Sequence, residues 1–144
     1  MLPALLIPFA LAAPGPDCWP GFRGDGSSRT DTPGLPLTWS PDTNIAWRAA
    51  LPGYGQSAPV VWKNQVYVTA VEGPKKETLH VACVDLASGK TAWAKSFAST
   101  QPGPNNPMTS RAAPTPVADA AGVVCFFESG DLIALSPAGE VRWK

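Results

Sequence analysis

Charge is scarce in this chain. Only 15% of residues are Asp, Glu, Lys or Arg, and 11 basic side chains balance 11 acidic ones. No long basic run occurs, so nucleic acid has no electrostatic foothold. Histidine is almost absent. His80 stands alone, and no histidine-based metal triad can be assembled from it. Cys18, Cys83 and Cys125 include no C-x-x-C and no adjacent pair, which leaves no thiol redox or zinc motif. Helical patterning is missing as well. Outside the first dozen residues no apolar stripe is long enough for a stable helix, and 17 prolines interrupt the chain. There is no calcium loop of the D-x-[DN]-x-[DN]-G kind. Gly53 and Gly55 do not extend to a phosphate-binding glycine loop, because Ala58 stands at the third place. Gly55-Gln56-Ser57-Ala58-Pro59 lacks the second glycine of a nucleophile elbow, so Ser57 reads as the start of an inner strand.

What the chain does contain is a repeat. Asn44-Ile45-Ala46-Trp47, Lys90-Thr91-Ala92-Trp93 and Glu140-Val141-Arg142-Trp143 align without a gap, with Trp spacings of 46 and 50 residues. Upstream, Pro59-Val60 and Val66-Tyr67-Val68 recur as Pro116-Val117 and Val123-Val124-Cys125 at a constant offset of 57. A period of about 40–50 residues belongs to propeller blades or helical arrays. The runs are short, β-branched and aromatic, and turn residues bound them, so the unit is β. In the first unit the strands read Ser57–Trp62, Val66–Val71, Leu79–Asp85 and Thr91–Phe97. Gly89 and Gly139 sit where a hairpin loop needs positive φ. Four short strands per unit make one propeller blade. Asn44–Ala50 precedes the first full blade and reads as the outer strand of the last blade of a closed ring.

Val84-Asp85-Leu86-Ala87-Ser88-Gly89-Lys90-Thr91-Ala92-Trp93 resembles the repeat of the pyrroloquinoline-quinone-like (PQQ-like) β-propellers, roughly A-x-D-x-x-T-G-K-x-x-W. Asp85, Gly89, Lys90 and Trp93 match it, and Ser88 replaces the usual Thr. The second copy keeps only Gly139 and Trp143. Trp19-Pro20-Gly21-Phe22-Arg23-Gly24, with Trp39, Trp47 and Leu51 to Trp62, is similar to exported propellers of this type common in planctomycete bacteria. The resemblance covers Trp19 to Lys144. It implies an all-β propeller of four-stranded blades, with about two blades here out of a 7- or 8-bladed ring. It also implies that the motif tryptophans dock between neighbouring blades. The reading is therefore of an N-terminal fragment, ending inside a strand at Trp143-Lys144.

Residues 1–13 read as a signal peptide: an apolar stretch ending in small residues, with Ala10-Leu11-Ala12 as an A-x-A cleavage site. Residues 14–44 read as an extended segment that packs on the propeller, and 45–144 as a closing strand plus two blades. Export to the periplasm or cell envelope follows, with no transmembrane span after signal removal. Cys83 and Cys125 read as small buried hydrophobes, His80 as a satisfied structural histidine, and Lys75-Lys76-Glu77 as a solvated hairpin tip. Asp85 is expected to tighten its turn by bonding backbone amides. Arg23-Gly24-Asp25 spells an adhesion tripeptide, a three-residue match expected by chance. Arg111, on the long connection Ala98–Arg111, is the residue expected near a central funnel.

No catalytic constellation appears, and three functions remain. One is an exported scaffold or binding module. Another is the N-terminal part of a quinone-dependent alcohol or sugar dehydrogenase. The third is a propeller that binds polysaccharide or a small ligand. The partner is a protein or a polysaccharide. No cofactor is expected in this segment, and PQQ with calcium enters only under the dehydrogenase reading.

Overall fold

A computed structural model describes residues 18–103 and 110–144. The leader read over residues 1–13 lies outside the described residues, as do positions 104–109 of the long connection. Two antiparallel sheets are present. The first contains β1 (Cys18–Trp19), β2 (Val60–Trp62), β3 (Gln65–Glu72), β4 (Thr78–Asp85) and β5 (Thr91–Ala98), side by side in that order. The second contains β6 (Val117–Asp119), β7 (Gly122–Phe126), β8 (Leu132–Leu135) and β9 (Val141–Trp143). Each sheet is a four-stranded blade of consecutive hairpins, and the first carries β1 as an added strand on its inner edge. Among the described residues no helix is long and apolar enough to cross a membrane.

Burial explains the strand composition. β4 is buried along almost its whole length, because a central strand is covered on both faces of the blade. β5 is exposed except at Trp93 and Phe97, four residues apart on one face of the strand and packed against the core. The register places Tyr67, Cys83 and Trp93 on one face, together with Val71, Leu79 and Val81. That face packs against Ala118, Val123, Cys125, Ile133 and Leu135 of the second blade, and this contact is the core. Cys83 and Cys125 are free thiols buried in it. Burial raises Cys83 to about 11 and Cys125 to about 12, so both are neutral packing groups.

The two blades repeat one another in detail. Each has a register shift in its third and fourth strands, between Cys83 and Val84 and between Ala134 and Leu135. A tight turn follows in each. Asp85 N–H bonds the Lys90 carbonyl at 2.9 Å, and Ser136 N–H bonds the Glu140 carbonyl at 2.8 Å. The second turn is one residue shorter, so Gly139 N–H reaches Ser136 O while Gly89 N–H reaches Asp85 O. Over Asn44–Ala50, read as a closing strand, residues 45–50 have no ladder partner among the described residues, and a strand is defined by the hydrogen bonds of its neighbour. The side chain of Trp47 is nevertheless seated.

Candidate functional site

Two of the three motif tryptophans sit on glycine turns. Trp47 lies over the Gly89 turn and donates its indole N–H to Leu86 O at 2.7 Å. Trp93 lies over the Gly139 turn and donates to Pro137 O at 2.9 Å. A Cβ added at Gly89 or Gly139 would come within 2.6 Å or 2.7 Å of the indole, and both glycines have positive φ. Pro137 O also accepts from Gln65 Nε2 at 2.9 Å, and the Tyr67 hydroxyl fixes that amide by donating to Oε1. Tyr67 and Trp93 stand 5.9 Å apart, centroid to centroid, in a tilted pair. Asp85 caps the turn: Oδ1 accepts from the Ser88 amide at 2.8 Å and the Ser88 hydroxyl at 2.6 Å, and Oδ2 accepts from Asn64. The Ser88 hydroxyl and then the Ser88 amide hold this carboxyl below its usual range. Lys90 is exposed and contributes its backbone. Trp143, the third motif tryptophan, is 48% exposed, and no turn covers it among the described residues.

The strand ends sort into two groups. The β2–β3 and β4–β5 turns share one end, the turn end, where Leu86 N–H bonds Asn64 O. The β3–β4 hairpin and the connection from blade one to blade two share the opposite, loop end. There Ser99 N–H bonds Glu77 O at 2.8 Å and Gly103 N–H bonds Lys75 O at 2.9 Å.

The loop end holds the side chains that the motif does not use. Tyr54 is bridged to Val71 by two backbone hydrogen bonds, of 3.0 and 2.8 Å. The residues on either side must be glycine. A Cβ at Gly53 would stand 2.2 Å from Val71 O, and one at Gly55 2.4 Å from Thr69 O. So Gly-Tyr-Gly lies flat on β3, and Tyr54 is 43% exposed. The Lys76 ammonium lies 5.8 Å from its centroid. Lys76 corrects the reading of residues 75–77 as a solvated tip, since its side chain is fully buried. The connection is tied to the hairpin by the Ser99 and Gly103 bonds, a long-range contact that β-propensity does not reveal.

His80 pairs both ring nitrogens, with Ser96 Oγ at 2.9 Å and Glu72 Oε2 at 3.1 Å, as a satisfied histidine should. Arg111 lies on the connection at the loop end in a left-handed conformation. Its guanidinium rests against Gly103 and donates to Gln101 O, while its own carbonyl accepts from Glu128 N–H. Ser57 precedes β2 and shares a hydrogen bond with Thr69 Oγ1. Asp131 ties the connection to the second blade. Burial pushes its carboxyl up, but hydrogen bonds from Ser129 and Thr100 prevail and the net shift is down. Among the described residues no group of three or more His, Cys, Asp or Glu could hold a metal.

Sequence reasoning missed Tyr54 as an organised group. The signal was the glycine on each side of it. It also missed the Glu72–His80–Ser96 line, which spans three strands and has no local signature.

Among curated proteins none matches the chain. A family comparison matches residues 28–144, which hold both blades, the seated Trp47 and the paired turns. This chain belongs to the PQQ-like repeat family described as outer membrane protein assembly factor BamB.

Proposed function

We propose that this protein is an exported propeller scaffold that binds a protein partner at its loop end. The observation that carries the reading is Tyr54: a half-exposed aromatic ring, fixed by a glycine-bracketed bridge, beside the buried cation of Lys76. Aromatic rings held rigidly at a surface are the typical anchors of protein interfaces, because little side-chain entropy is lost on contact. The family description, an assembly factor for outer membrane proteins, supports a protein partner and a place in the cell envelope. Arg111, held against Gly103 on the connection at the same end, is a candidate rim residue of this site.

A photo-crosslinking amino acid at position 54, in the full chain expressed in its own envelope, tests the reading. The expected outcome is one discrete protein adduct, lost in Lys76→Glu. Saturable binding of envelope polysaccharide without any protein adduct would replace the scaffold by a carbohydrate-binding propeller.

In this reading the segment holds no resident cofactor. Titration with pyrroloquinoline quinone and calcium should leave Trp fluorescence without a saturable change. One-to-one saturation at micromolar quinone would favour the dehydrogenase instead.

A further inference from the structure

The inner edge of the blades is already occupied. The two sheets meet at β2 and β6, the first strands of the two blades; β6 stands at the edge of its sheet, and β2 would do so but for β1. Residues 18–20 lie along both edges. Cys18 pairs with Trp62 and Trp19 with Val61, antiparallel, on β2. One residue later the Pro20 carbonyl accepts from the Ala118 amide of β6 at 2.8 Å. Pro20 has no amide, so the ladder along β2 cannot continue through it. The chain then leaves through a turn closed by Gly24 N–H on Gly21 O at 3.0 Å, with the Trp19 ring packed on Gly24. Gly21 itself lies against Val117. The contact is at the turn end, opposite Tyr54 and Lys76.

We propose that the inner edges of β2 and β6 form a β-augmentation site for a short extended peptide, and that residues 18–20 fill it in cis. Added strands take their affinity from main-chain hydrogen bonds and their specificity from alternate side chains. Here the main chain is shared between two sheets, so the segment stitches the blades together. This edge site is separate from the loop-end partner site.

Amide exchange in the full chain tests it. The Ala118 amide, whose acceptor is Pro20 O, should exchange at least about 100-fold more slowly than a free amide. Trp19→Asp should abolish that protection and leave Val81 and Leu79 of the core sheet protected. Gly24→Ala displaces the Trp19 ring without touching either blade and should act in the same direction. The synthetic peptide Cys-Trp-Pro-Gly-Phe-Arg-Gly, added in trans to either variant, should restore slow exchange at Ala118. Fast exchange at Ala118 in the wild type would overturn the proposal. So would protection that survives both substitutions, or failure of the peptide to restore it while the core amides stay protected.

Discussion

At the scale of the residue, shape and burial decide roles that residue type leaves open. Trp93 is a packing residue: it touches the Gly139 turn, Tyr67 and the Pro137 carbonyl at once. Trp93→Ala should destabilise the full chain by about 3 kcal/mol in urea melts, the lower part of the range for removing a large aromatic. Gly139→Ala should destabilise in the same direction, because the new methyl group meets the indole. Wild-type stability in Trp93→Ala, combined with loss of a partner, would make the tryptophan a recognition residue. Lys76 is the reverse lesson. A lysine in a charged hairpin is ordinarily solvated, yet this one is enclosed beside Tyr54. Lys76→Ala should cost about 1–2 kcal/mol, whereas Lys95→Ala on the exposed strand β5 should stay within about 0.5 kcal/mol. The thiols divide in the same way. Iodoacetamide at mildly alkaline pH should modify Cys18 first in the folded chain, because thiolate is the reactive form and burial keeps Cys83 and Cys125 protonated. Equal labelling of all three would show that the core opens.

At the scale of the element, the tight turn is a small electrostatic device. Asp85 accepts three side-chain and backbone hydrogen bonds and is held below the ordinary carboxylate range, chiefly by Ser88. A depressed folded-state value means that the stabilisation is present above the unfolded carboxylate pKa. It is lost as pH falls through the folded value. Urea midpoints of the wild type and Asp85→Asn should therefore differ at neutral pH and converge in acid. A gap that persists in acid would assign the effect to turn geometry and not to charge. The second blade has Ser136 at the same place, with a hydroxyl that accepts the Glu140 amide at 3.1 Å, so its turn should lack this acid sensitivity.

At the scale of the whole molecule, the two faces of blade two have different surroundings. One packs on blade one. The other presents Val117, Phe126, Leu132 and Trp143, each 44–55% exposed. A cleft of about 460 Å³ between Phe97, Leu132, Ile133 and Trp143 opens beside it. Contiguous apolar surface of this kind marks an association site. The purified chain should self-associate at micromolar concentration in sedimentation velocity, and Trp143→Asp should shift it towards monomer. A monomer that unfolds cooperatively with Trp143 exposed would show that the two blades suffice for stability. Within a ring, a further blade with its own glycine turn would cover Trp143, as blade two covers Trp93.

Local sequence determined the blade. Alternating β-branched runs, the Asp85-to-Trp93 phrase and the glycine turns each act within a few residues, so strand identity, hairpin order and the family were readable from the chain alone. β3, β4 and β5 differ from the sequence reading by no more than two residues at either end. Only the tertiary structure decided what covers what. It paired Cys18–Trp19 with β2, across more than 40 residues of chain. It left Asn44–Ala50 without a ladder among the described residues while seating Trp47, buried Lys76 beside Tyr54, and turned Arg111 onto Gln101. These depend on contacts between distant segments, and no periodicity in the chain encodes them.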